Sequence, residues 1–253
     1  MIAQSDFPRS KLNFEIHFDS LFGLKIHPLI VYIRPKFSMT MATELRYYNK
    51  AKFFFKGQRK VSALIDYCES FKAPITPRAN KKYPVSQKIL NAMFRKKINE
   101  IGWDVQNKRV YPNDHVIKAN HEGDFTGELE NCISVFGEIE FGNVGSSFRD
   151  LIKFIQVESF STHDAIIFIL PKKQFSKKIE SIGCFEDMCE IIDYLSNSLN
   201  IPMLIVGLEP KTDHKYLDCE LHCAQTMNQP TNWKTQSEPY WDNFVDTYAG
   251  VLF

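Results

Sequence analysis

The amino-acid sequence predicts an α/β fold in which a central mixed β-sheet is flanked by helices. Three observations carry this reading. Residues 165–170 (AIIFIL) and 203–208 (MLIVGL) are continuous apolar runs, the pattern of strands covered on both faces. Residues 133–141 alternate instead: Ile133, Val135, Ile139 and Phe141 lie on one face, and Ser134, Phe136, Glu138 and Glu140 on the other. Helical patterns of about 10–15 residues separate these strands, and strand-helix-strand-helix-strand is the order of an α/β sheet.

The remaining elements follow from local patterns. Residues 1–45 are apolar in patches and form an N-terminal extension. Phe53, Phe54 and Phe55, set between lysines, read as a short strand. Residues 61–71 have the apolar spacing of a short helix, and 72–86, with Pro74, Pro77 and Pro84, read as a loop. A helix is expected over 86–101, where Ile89, Leu90, Met93, Phe94, Ile98 and Ile101 recur at three and four, Ser86 can cap and Gly102 can stop it. After the Gly142-Asn143 turn a further helix is expected, capped by Ser146 or Ser147, with Phe148, Leu151, Ile152 and Ile155 as its buried stripe. Residues 185–199 form another, with Phe185, Met188, Ile191, Ile192, Leu195 and Leu199 inward. The tail from 211 is polar and reads as irregular. The chain thus reads as one domain over 1–253: the extension 1–45, a basic helical part 50–109, a core 120–210 and a C-terminal part 211–253.

Composition narrows the function classes. Of 253 residues 44% are apolar and 24% charged, ordinary globular usage, which argues against disorder and low complexity. No apolar run reaches the roughly 18 residues of a transmembrane helix, and residues 24–33 lack the flanks of a signal peptide. The six cysteines show no secreted spacing framework, so reduced thiols in a cytoplasm are expected. The formal charge of +1 hides a polarity. Residues 50–109 hold 15 Lys and Arg against 4 Asp and Glu, so the local excess is +11 and the rest of the chain carries −10. Such a basic segment suits a phosphate-binding surface, against the alternative of an ordinary solvated face.

Glu138 and Glu140 are the sharpest chemical signal. Carboxylates two apart on a strand share a face, and like charges side by side need a neutralising partner, for which a hard divalent cation is the usual answer. Asp124, on a preceding strand, can add a third oxygen ligand; Glu128 and Glu130 are its rivals and read as hairpin surface charges. The alternative is a solvated strand face with scattered acids. His214, Cys219, His222 and Cys223 have zinc-like residue types in no strong zinc spacing, and free thiols are the reading taken. Trp103, Trp233 and Trp241 read as packing residues.

The order of short motifs sharpens this. Asp124-Phe125, then residues 136–143 (FGEIEFGN), then 145–149 (GSSFR), resemble the type II restriction endonucleases of the BamHI/BglII/BstYI group, which are PD-(D/E)XK nucleases. Residues 164–174 (DAIIFILPKKQ), 202–208 and the helix region 84–103 continue the resemblance, so it spans about residues 75–210. It implies a restriction-endonuclease-like core and a magnesium-dependent enzyme, with manganese able to substitute. It further implies cutting of double-stranded DNA at a short palindromic site, by a homodimer with two-fold related active sites. Asp124, Glu138 and Glu140 then correspond to the catalytic, metal-binding acids. Glu140 occupies the position where most such nucleases carry Lys, the BamHI branch Glu and the BglII/BstYI branch Gln. Asn143, Ser146, Ser147 and Arg149 correspond to DNA-reading positions, joined by Lys172 and Lys173 and by Glu180 and Ser181 in a second loop. No arginine lies between Lys172 and Phe185, so the outer-pair reading of the BamHI branch is not expected, while Asn143 and Arg149 leave a GATC-like core. Rival readings are a repair or modification-dependent nuclease of the same superfamily, a non-catalytic DNA-binding protein, and an α/β protein whose acids are a surface accident.

Overall fold

The computed structural model describes residues 40–253 except 77–81, 107, 112–120, 143, 180–182, 196–197 and 224–235. Its elements in chain order are β1 (Met41–Tyr48), α1 (Ala51–Phe55), α2 (Arg59–Ser70), β2 (Pro74–Ile75), α3 (Gln87–Ile101), β3 (Phe125–Glu128), β4 (Ser134–Ile139) and α4 (Val144–Phe160). There follow β5 (Ala165–Pro171), α5 (Lys173–Ile179), α6 (Phe185–Leu195), β6 (Met203–Pro210), β7 (Leu217–Asp218), α7 (Cys219–Cys223), α8 (Glu238–Thr247) and α9 (Ala249–Leu252).

Five strands form one sheet in the order β1-β6-β5-β4-β3. The inner pairs β4–β5 and β5–β6 are parallel, and the two outer pairs are antiparallel, so the sheet is mixed as the sequence predicts. The two apolar runs become β5 and β6, and every residue of β5 is buried. Parallel neighbours need helical crossovers, and helices cover both faces of the sheet. One face packs Phe136, Phe168 and Ile205 against Leu151, Phe154 and Val157 of α4 and Met188 and Ile192 of α6. The other packs Val135, Ile139, Ile167 and Val206 against Leu64 of α2 and Leu90, Phe94 and Ile98 of α3.

α3 explains why its sequence stripe is so wide. Leu90, Phe94 and Ile98 meet the sheet side, while Ile89, Ala92 and Met93 meet Trp241, Phe244 and Val245 of α8. Gly102 ends it in the left-handed region at φ 95°, where a Cβ is strained. Ser86 stands at the N-cap position, but its side chain makes no capping bond.

Three local expectations are corrected. Phe53–Phe55 are helical, because Ala51 and Phe55, four apart, bury one face and leave Phe53 91% exposed. The tail from 211 is not irregular throughout: Trp241, Phe244, Val245 and Tyr248 give α8 an apolar face for α3. The third concerns α4, which begins at Val144, so Ser146 and Ser147 lie inside its first turn rather than capping it. Its buried positions are Ser147, Asp150, Leu151, Lys153, Phe154 and Val157, whereas Phe148, Ile152 and Ile155 are 51%, 51% and 46% exposed. The helix is rotated from its apolar pattern because the strand beneath presents carboxylates, which need the polar residues of α4.

Candidate active site

β3 and β4 bring the acids together. Phe125 pairs with Gly137 across the ladder, so the preceding Asp124 falls beside Glu138. Asp124 is stitched to β4 twice: its amide donates to the Gly137 carbonyl at 2.9 Å, and its Oδ2 accepts from the Ile139 amide at 2.7 Å. Glu140 lies one residue past β4 and is tied to β5 through its amide and the Ile169 carbonyl (3.0 Å). Its Oε1 accepts a short bond from the Gly142 amide.

α4 closes over this edge and adds two charged groups absent from the sequence-based site. Lys153 Nζ donates to Glu138 Oε1 at 2.7 Å and to Asp150 Oδ1 at 2.9 Å. The Asp150 carboxyl in turn hydrogen-bonds that of Glu140. Glu138, Glu140, Asp150 and Lys153 are all buried. The alternation of β4 places both glutamates on one face as expected, but that face is covered rather than solvated.

Burial governs the protonation of the cluster. It pushes the Glu138 carboxyl well above the usual carboxylate range, and Asp124 and Asp150 push the same way against Lys153. Glu140 is pushed up to about 9, first by burial and then by Asp150. Asp150 is raised by burial despite Lys153. Burial works against the Lys153 charge, yet Glu138 and Asp150 outweigh it and hold the ammonium above its ordinary value.

A carboxyl whose folded pKa lies above its unfolded value binds its proton more tightly when folded. The stability that Glu140 contributes to the metal-free chain is therefore lost as pH rises from its ordinary 4.5 towards about 9. Glu140→Gln keeps a hydrogen-bonding head without titrating and flattens this decline. Thermal melting in EDTA from about pH 5 to 9 checks it; an unchanged slope in the variant contradicts the assignment.

The other candidate residues are scattered around this centre. Arg149 is exposed and makes no ion pair among the described residues, since its neighbour Asp150 pairs with Lys153 instead. Ser146 is half-buried; Ser147 is fully buried, its Oγ lies beside Gly183 without a partner among the described residues, and so it faces the protein body. Lys172 is bound to Glu44 (2.7 Å) and Glu209 (3.4 Å) at the β1–β6 edge. Lys173 is exposed and opens α5. Asn143, Glu180 and Ser181 lie outside the described residues. Of the rivals to Asp124, Glu130 pairs with Arg59 and Glu128 is exposed at the end of β3. The basic segment is partly consumed internally: Arg95 and Lys96 pair with Asp242 and Asp246 of α8, and Lys97 with Glu100. Lys52, Lys56, Lys72 and Arg109 remain exposed without an acidic partner among the described residues. His214 engages Thr40 and the Ala73 amide through its two ring nitrogens.

A family profile described as restriction endonuclease BglII/BglIII matches residues 43–208, more than half of the chain and all five strands' core region. The chain belongs to this family. It is accordingly a type II site-specific endonuclease, of a family that generally uses divalent metal ions. Among solved structures, restriction endonuclease BglII complexed with a DNA 16-mer superposes with a TM-score of 0.55 at 13% identity, covering 68% of this chain and 80% of that one. Free BglII matches with a TM-score of 0.47 at 12% identity, over 68% and 81% of the two chains. At this identity the BglII complex shows the shared fold. No curated protein sequence matches the chain. Among the described residues no helix is long and apolar enough to cross a membrane.

The donor set suits a hard cation. Asp124 and Glu138 offer carboxylate oxygens, and magnesium is held by one or two carboxylates together with water and substrate phosphate. Among the described residues no group of three or more acids, histidines or cysteines forms a ready-made cage. Asp150 and Lys153 are not visible in the sequence because the apolar pattern of α4 points to a different buried face. Their three-residue separation, a helical ion-pair spacing, was the available signal.

Proposed function

We propose that the chain uses magnesium, with manganese able to substitute, to hydrolyse double-stranded DNA at a palindromic site as a homodimer. The observation that carries this reading is the stitching of Asp124 against Glu138 and Glu140, at the sheet edge capped by the helix bearing Arg149. Asp124 and Glu138 would hold the ion. When bound, it polarises a phosphate and lowers the pKa of water. Glu140 orients the attacking water and accepts its proton. Arg149 reads guanine in the major groove and Asn143 adenine, giving a GATC-like core. Run-off sequencing of cut DNA tests the specificity. One palindromic motif centred on GATC is expected, and non-palindromic or scattered ends contradict it.

The dimer reading is supported by α4. Phe148, Ile152 and Ile155 form an exposed stripe at spacings of four and three, suited to an isologous contact through the helix that also carries Asp150 and Lys153. Ile152→Glu places a charge in that contact. Sedimentation should show monomers with the native fold retained. A variant that still dimerises removes α4 from the interface.

A further inference from the structure

We propose that Lys153 is a built-in second cation of this active site, and that each chain therefore binds one divalent ion rather than two. The inference rests on the metal-dependent reading above and deepens it. Two-ion sites hold their metals about 3.5–4 Å apart, which calls for carboxylates able to lend an oxygen to each ion. The acids here are each already engaged on one oxygen, which weakens that oxygen as a ligand. Oε1 of Glu138 is taken by Lys153 Nζ at 2.7 Å, and Oδ2 of Asp124 by the Ile139 amide at 2.7 Å. Each keeps one oxygen without a partner among the described residues. Asp150 is likewise engaged by Lys153 at 2.9 Å and by Glu140. Two single oxygens suit one octahedral ion that completes its shell with water and phosphate.

Lys153 is well placed for a permanent role. It stands on α4 with its side chain 9% exposed, gripped by two carboxylates that are each 3% exposed. The positive charge that the Glu140 position does not supply thus comes from the helix. Lys153 is a positioning residue: it fixes which Glu138 oxygen faces the ion.

The test is the number of Mn2+ ions bound by the full chain, read by titration calorimetry and by the loss of the free-Mn2+ spin-resonance signal. The native chain takes up about one ion, and Lys153→Arg, which keeps the charge, also about one. Lys153→Met releases Glu138 Oε1 and raises the count to about two. Circular dichroism follows folding; if Lys153→Met unfolds, the native and Lys153→Arg counts decide. Two ions per native chain, or one in folded Lys153→Met, overturn the proposal and leave the metal-dependent reading intact. No Mn2+ uptake by the native chain overturns both.

Discussion

Glu138→Gln lowers DNA cleavage by at least about 10³-fold, equivalent to about 4 kcal/mol of transition-state stabilisation, while DNA binding in EDTA persists. The amide keeps the size of the side chain, and its oxygen still accepts from Lys153 Nζ, which now stands 2.7 Å from Glu138 Oε1. What is lost is the negative charge proposed to hold a divalent ion. Binding is expected to survive because affinity for DNA comes mainly from Lys and Arg contacts to phosphates, not from a carboxylate. Glu138→Ala is the harsher variant, because it leaves Lys153 with Asp150 alone in a buried site and costs about 3 kcal/mol or more of stability. Single-turnover cleavage beside a gel-shift titration separates the effects. Cleavage at the native rate by Glu138→Gln removes this residue from the metal site.

Gly137→Ala carries the second large effect, on folding first and activity with it. An added Cβ would lie 2.1 Å from the Phe125 ring, far inside contact distance. That ring is fully buried and set edge-on against Trp103 with centroids 5.3 Å apart, so it cannot retreat cheaply. Overpacking of this kind costs about 3 kcal/mol, and in a domain of this size about 6–12 °C of Tm. Relief comes from moving β3, which carries Asp124 away from the Ile139 amide and lowers cleavage too. Phe125→Leu in the same chain makes room and recovers part of both losses, a coupling a double-mutant cycle reads directly. A Tm within about 2 °C of native for Gly137→Ala contradicts the packing assigned here.

Much of the fold was legible because its strands follow simple patterns. AIIFIL and MLIVGL have the length and composition expected of strands buried on both sides, and the alternation through 133–141 set Glu138 and Glu140 on one face. Three things were not legible, each for a physical reason. Hydrophobic periodicity cannot show that α4 turns Asp150 and Lys153 inward, because the carboxylates they answer lie on a strand that meets them only in three dimensions. The basic excess of 50–109 looked available to phosphates, but Arg95 and Lys96 are matched by Asp242 and Asp246, about 150 residues on. The tail hid α8 because its face is completed only by Ile89, Ala92 and Met93 of α3.

Asp124 illustrates the middle case. Its type and approximate place were readable, yet what separates it from Glu128 and Glu130 is the antiparallel register that pairs Phe125 with Gly137. Register depends on the turn and on side-chain packing, which spacing alone does not specify.

We assign magnesium-dependent cutting of DNA at defined sites to Asp124 and the buried Glu138 and Glu140 at the β3–β4 edge. Digestion of unmethylated phage DNA by the purified chain tests it most directly. Discrete fragments that require Mg2+ or Mn2+ and vanish in EDTA are expected. A smear of random lengths, fragments that persist in EDTA, or intact DNA under every divalent ion tried would contradict it.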